Sequence, residues 1–141
     1  MSDHYAFSRH YPSLARSLVT EARICKQFSG NPEESLTIRA VWDTGATSTV
    51  ISPDAAGKIN LVSIDKLSVY GVNSYTEVDV SIVSIILPNG IVLKNNRITI
   101  CKLPPTVDML IGMDIILMGD LFICNADNRT LFSYAFPPYT A

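Results

Sequence analysis

Long apolar runs, basic clusters and paired cysteines are all missing from this chain of 141 residues. The most apolar stretches, residues 82–87 and 109–118, fall well short of the roughly 20 residues that a bilayer-spanning helix needs, and the second contains Asp114. No membrane partner is therefore expected. The 11 Lys and Arg residues are scattered and outnumbered by 13 Asp and Glu, for a net charge of −2. That balance argues against nucleic acid or an anionic surface as a partner. The three cysteines, Cys25, Cys101 and Cys124, lie far apart with no Cys-x-x-Cys pair. An odd, sparse count excludes a disulfide framework and fits a reducing compartment. Met1 is followed by neither a basic stretch nor an apolar core, so a cytoplasmic location is the expectation, and Asn128-Arg129-Thr130 reads as turn chemistry rather than a glycosylation site. The only histidines are His4 and His10, both near the N-terminus. A Ser-His-Asp or Cys-His nucleophile system would have to recruit one of them. Metal-ligand spacings and glycine-rich phosphate loops are absent, so no metal and no cofactor are expected.

What the chain does have is apolar content, 48% hydrophobic against 17% charged, in a length suited to one domain with its own core. Residues 1–17 mix Tyr, His, Ser and Pro12 without periodicity and read as an N-terminal arm or loop. A domain over 18–138 and a tail over 139–141 follow. Residues 18–25 suggest a first strand. In residues 36–42, Leu36, Ile38, Ala40 and Trp42 share one face, which is strand periodicity. Ser52-Pro53-Asp54 predicts a short helix ended near Gly57, with Ser52 as its cap. Residues 66–69 and 75–87 predict a hairpin around Tyr70-Gly71-Val72-Asn73-Ser74, with Val78, Val80 and Ile82 alternating against polar neighbours. Strands are expected at 91–93, 97–103 and 109–111, then a helix opened by Asp114, then a last hairpin over 121–125 and 130–136. Many short strands with one or two short helices make the class all-β.

The informative segment is Val41-Trp42-Asp43-Thr44-Gly45-Ala46-Thr47-Ser48. An apolar strand delivers a carboxylate into a turn, where Thr44 has a short side chain able to bond the backbone and Gly45 permits a tight bend. By itself this is an ordinary strand-end turn. About 65 residues later comes Asp108-Met109-Leu110-Ile111-Gly112-Met113-Asp114, an apolar-apolar-glycine element ahead of a short helix, and the glycine-bearing hairpin lies between the two. Taken together, over residues 17–138, the chain resembles the retropepsin-like (retroviral-type) aspartic protease family, in particular its small bacterial single-domain members. The stretches Leu117-Met118-Gly119-Asp120-Leu121-Phe122-Ile123 and Phe132-Ser133-Tyr134-Ala135-Phe136-Pro137 are similar to what those relatives carry. The resemblance implies an acid-protease fold, a closed, barrel-like β domain active as a homodimer. It implies Asp43 as catalytic acid, Thr44 gripping the partner loop, Gly45 as tight turn, and a substrate-covering flap at Tyr70, Gly71, Val72 and Asn73, with Ala46 beside the substrate. Leu110, Ile111, Gly112 and Asp114 are implied as support beneath the loop.

Aspartic proteolysis needs two carboxyl groups around one water, and only Asp43 sits in an Asp-Thr-Gly segment. A two-fold homodimer supplies the second. Asp114 is read as a helix cap and not as a second acid. The expected activity is an aspartic endopeptidase acting on an extended peptide or protein substrate. The alternative is a non-catalytic peptide-binding or dimerisation module, capturing an extended segment by strand addition. Trp42 and the Ile/Val stripe of 78–87 read as core, the three cysteines as buried apolar residues, Tyr70 as a hydrogen-bond donor or a packing aromatic, and Tyr134 with Phe136 as edge or core.

Overall fold

Period-two burial builds most of this chain. In the computed structural model, which describes residues 5–139, the order is β1 (Tyr5–His10), β2 (Leu18–Cys25), β3 (Leu36–Trp42), β4 (Val50–Ile51) and helix α1 (Pro53–Lys58). Then come β5 (Asp65–Tyr70), β6 (Tyr75–Ile86), β7 (Val92–Ile100), β8 (Met109–Ile111), helix α2 (Met113–Ile116), β9 (Asp120–Cys124) and β10 (Leu131–Phe136). Strand β3 buries Ile38, Ala40 and Trp42 on the predicted face. Helix α1 is capped as its sequence predicts: the Ser52 hydroxyl accepts from Ala55 N at 3.2 Å, and Pro53 occupies the first turn.

Six strands close a barrel in the order β2-β3-β8-β4-β7-β6, because β6 pairs back onto β2. Strand β5 hangs outside this ring as the second arm of a β5–β6 hairpin. A separate antiparallel sheet, β1-β10-β9, packs on the barrel through aromatic rings. Trp42 of β3 lies 4.8 Å from Tyr134 and 5.3 Å from Phe132, with Phe7 5.8 Å from Trp42. The Trp42 indole N–H donates to Thr20 Oγ1 at 2.9 Å, so its one polar group is satisfied inside the core. The all-β class, the closed barrel and the two short helices are as expected.

Four expectations need correction. Part of the N-terminal segment read as an irregular arm is strand β1, which pairs with β10 from Tyr5↔Phe136 to His10↔Leu131; His4 lies outside the described residues. Phe7 is the one apolar anchor of that segment, too little for a sequence pattern, yet it is buried among three other rings. Tyr134, read as edge or core, accordingly lies on the central strand of its sheet and is 1% exposed, as the core reading has it. The predicted strands at 91–93 and 97–103 are one strand, β7, because the polar run around Asn95 is absorbed by a bulge: Asn95 has φ 56° opposite a register shift between Val83 and Ile85. The alternation of β6 also breaks, earlier, after Val80: Ser81 and Ser84 are buried, and Ile82 of the predicted core stripe is exposed. Cys25 is buried as expected, but Cys101 is exposed.

Tyr134 carries a pH prediction. Its hydroxyl donates to Ile115 O at 2.7 Å. Burial, with a smaller push from the Asp120 charge, raises its pKa to about 12. In the unfolded chain the phenol ionises near pH 10. The folded state resists ionisation, so this contribution is complete below about pH 10 and is lost as pH climbs towards about 12, worth roughly 2–3 kcal/mol. Urea midpoints should fall across that window, and Tyr134→Phe should flatten the fall.

Candidate active site

Strand β3 stops at Trp42 and hands Asp43 to a turn held by three hydrogen bonds. Asp43 N donates to Ile111 O at 2.9 Å, and Ala46 N donates to Asp43 O at 3.2 Å. Gly45 N donates to Asp43 Oδ1 at 2.8 Å, so the carboxylate is aimed by a bond two residues along its own backbone. A Cβ on Gly45 would sit 3.2 Å from that same Oδ1, which is why a glycine suits the position. Among the described residues Asp43 Oδ2 has no partner, and the side chain is partly exposed. Thr44 and Gly45 are exposed and Ala46 is half-buried.

Beneath this turn lies the second motif. Strand β8 pairs with β3 in parallel, Trp42 against Ile111, and with β4 antiparallel, Val50 against Leu110. Gly112 then passes so close to the turn that a Cβ there would meet Ser48 C and O at 2.7 Å and Ala46 O at 2.9 Å. The contact is stitched by Met113 N to Ala46 O at 2.8 Å and Asp114 N to Thr47 O at 3.3 Å. Asp114 is not the N-cap of α2; Gly112 holds that position and has no side chain to cap with. Asp114 sits in the first turn, where Oδ1 accepts from Ile115 N at 2.9 Å and Thr49 Oγ1 at 2.8 Å, and Oδ2 accepts from Thr49 N at 3.0 Å. Both oxygens are committed, so Asp114 braces the Asp43 loop and offers no free second acid.

Thr49 is the residue that sequence reasoning passes over. It is 0% exposed, donates to Asp114 and accepts from Gly112 N at 3.2 Å. Nothing in the sequence distinguishes it from Thr47 and Ser48 beside it. Thr49→Val keeps the shape, strands Gly112 N and removes a donor from Asp114. A loss of about 2 kcal/mol in chemical denaturation is expected, with Thr49→Ser retaining most of it.

The hairpin tip stands apart. Tyr70, Val72 and Tyr75 are exposed, Val72 fully, and no hydrogen bond joins the tip to the Asp43 loop among the described residues. Gly71 N donates to Ser74 O at 2.7 Å, closing the turn that includes Asn73. Tyr70 neither packs in the core nor bonds across; its ring lies tilted against that of Tyr75, with centroids 5.3 Å apart. At the hairpin's base, Arg97 pairs with Asp65 at 2.9 Å and Lys66 with Asp79 at 3.3 Å. The Arg97 hydrogen bond holds the Asp65 carboxyl below its usual range; Asp79 is lowered first by Ser63 and then by Lys66. The cavities of about 650 and 490 Å³ lie elsewhere, one lined by Phe7, Thr20 and Ile38 and the other by His10, Cys124 and Arg129; neither includes Asp43. The site is a partly exposed carboxyl fixed by its own turn and by a braced loop.

A family model described as Aspartyl protease matches residues 28–115, more than half of the chain and both motifs. The chain belongs to the aspartyl protease family. Solved structures agree on the fold. A retropepsin-like aspartic protease from Rickettsia conorii superposes with a TM-score of 0.60 at 14% identity, covering 95% of this chain and 96% of that one. The EIAV protease complexed with the inhibitor HBY-793 gives 0.53 at 20% identity, over 74% and 88%. The retroviral protease-like domain of Ddi1 from Leishmania major gives 0.53 at 14%, over 84% and 95%. At these identities the likeness is one of fold. No curated protein matches the chain. Among the described residues no helix is long and apolar enough to cross a membrane.

Proposed function

We propose that this aspartyl protease is an endopeptidase whose working unit is a homodimer, with one Asp43 from each protomer flanking a single water. The observation that carries the reading is the state of Asp43 itself: Oδ1 is fixed by Gly45 N at 2.8 Å, while Oδ2 of this partly exposed side chain has no partner among the described residues. Two such carboxyls about 3 Å apart cannot both ionise and share one proton. The charged one takes a proton from the water, and the protonated one polarises the scissile carbonyl. The pair titrates as a unit, and activity favours mildly acidic pH because one proton must stay on it. Thr44, exposed at the same turn, grips the partner's loop; Gly45 allows the close approach of the two turns; Ala46 lies beside the substrate. The hairpin tip at Tyr70, Gly71, Val72 and Asn73 closes over an extended peptide. Leu110, Ile111, Gly112 and Asp114 keep the loop in place, and no cofactor takes part.

The test is stoichiometric. A peptide isostere with a hydroxyl in place of the scissile carbonyl mimics the tetrahedral intermediate and should bind tightly. Calorimetry should give one inhibitor per two chains, with a peptide library cleaved under the same conditions. One inhibitor per chain would place a complete site in a single protomer and refute the reading. Tight library binding without any cleavage would make the protein a peptide-capturing module.

A further inference from the structure

Strand β1 has one neighbour, β10, among the described residues, and its other edge borders a groove against the barrel. The groove, a cavity of about 650 Å³, is lined by Ser8 and Arg9 of β1, Thr20 and Glu21 of β2, and Thr37 and Arg39 of β3. A smaller hollow of about 200 Å³ continues it past Glu21 and Thr37 to Pro88, so the whole is elongated. Tyr11 N donates to Thr130 O, and the two-residue alternation of an antiparallel pair then turns the backbone N–H and C=O of Ser8 away from β10. Two cations stand at the same place. Arg39 lies opposite Glu21 in register, both exposed, yet the two form no ion pair. The Arg39 guanidinium has no hydrogen-bond partner among the described residues. Arg9 spends one N–H on His10 O at 3.3 Å and lies 5.2 Å from the centre of the Tyr11 ring. Burial raises the Tyr11 phenol pKa, and the charges of Arg9 and Arg39 are among the causes that pull it back, so both guanidiniums bear on one ring.

We infer that this groove is an exosite for an acidic, extended segment of a protein substrate, which adds as a strand along Ser8 and sets its carboxylates on Arg9 and Arg39. As a site for substrate it rests on the endopeptidase reading above. An extended chain matches the length of the groove and the unpaired backbone of Ser8. The charge of the segment follows from the guanidiniums, whose planar donors take a carboxylate in two-point contact. Side chains two apart on a strand share a face, so acidic residues at alternate positions present their carboxylates to one side. Glu21 repels the same acids along the continuation towards Pro88, which gathers them at the β1 end. The groove lies outside the Asp43 turn but is tied to it. Strand β3 runs on from Arg39 to Asp43, about 13 Å of extended chain. Asp108 clamps the Arg39 backbone, accepting Arg39 N at 2.8 Å and donating its own N–H to Arg39 O at 3.0 Å. A substrate held there is tethered near the chemistry without altering it, which lowers KM and leaves kcat alone.

Fluorescence anisotropy with the Asp43→Asn protein reads binding apart from cleavage. A labelled Val-Glu-Val-Glu-Val-Glu peptide should bind, and its Val-Gln counterpart should bind at least about tenfold more weakly. Arg9→Ala and Arg39→Ala should each weaken the acidic peptide about tenfold, and Arg39→Glu should abolish its binding. Lys102→Ala, exposed and outside the groove, should change nothing. Citrate at constant ionic strength should not displace the peptide. In cleavage by the otherwise unchanged protein, a Glu-rich extension on a library peptide should lower KM about tenfold with kcat unchanged. Arg39→Ala should remove that advantage and cut the unextended peptide like wild type. Equal binding of the two peptides, full displacement by citrate, or arginine variants that bind like wild type would overturn the exosite and leave the endopeptidase standing. Arginine-dependent binding in a protein that cuts no peptide would leave the groove as an acidic-peptide site and withdraw the endopeptidase reading, and with it the role in substrate capture.

Discussion

Asp43→Asn should abolish peptide cleavage and leave the protein folded and able to pair. The substitution is nearly isosteric. The amide oxygen can still accept from Gly45 N, which holds Oδ1 at 2.8 Å, and the bonds from Asp43 N to Ile111 O and from Ala46 N to Asp43 O belong to the backbone. The turn therefore survives. The chemistry does not, because an amide neither takes a proton from water nor shares one with a carboxylate. A fall of at least about 10³-fold in kcat/KM is expected, read by mass spectrometry of a peptide library. The dimer should hold or tighten, since the change removes the negative charge of the shared-proton pair from its axis. Equal cleavage by the substituted protein would remove Asp43 from the mechanism. A wild type that binds peptides and never cuts them would leave the fold and withdraw the activity.

The parts of this molecule that were legible in the sequence are those built from neighbours. Strands over 18–25 and 36–42 begin and end where alternation begins and ends, and the Ser52-Pro53 start of α1 is a local hydrogen-bond pattern. Asp43 and Gly45 bond two residues apart, so the turn is written in consecutive letters. What escaped is long-range. Strand β1 is strand only because β10 lies beside it, 125 residues away where the hydroxyls of Ser8 and Ser133 meet. The Thr49–Asp114 brace spans 65 residues, and either residue alone has a more ordinary role, one as a strand threonine and the other as a helix cap. The β7 bulge is invisible because Asn95 reads as a turn residue until a continuous partner strand absorbs it. In each case the deciding bond joins segments that no short window contains together.

Gly112→Ala should be the most damaging single methyl in the chain for activity and among the worst for stability. The added carbon would lie 2.7 Å from Ser48 C and O and 2.9 Å from Ala46 O. These neighbours are backbone, not the ends of flexible side chains, so no rotamer change relieves the contact. Either the Asp43 loop or the start of α2 must retreat. Retreat of the loop breaks Met113 N to Ala46 O and pulls on Gly112 N to Thr49 Oγ1, the bonds that register the two motifs. Overpacking of this kind costs about 2–3 kcal/mol or more, a drop of roughly 6–12 °C in Tm. Activity should fall further than the folded population does, because an Asp43 displaced by less than an ångström no longer meets its counterpart at proton-sharing distance. The measurement is a pair of curves, thermal unfolding and cleavage at a temperature where the variant remains folded. Loss of rate in a fully folded Gly112→Ala protein marks the glycine as the residue that sets the height of the catalytic turn, and full activity there would show that the loop finds its place without it.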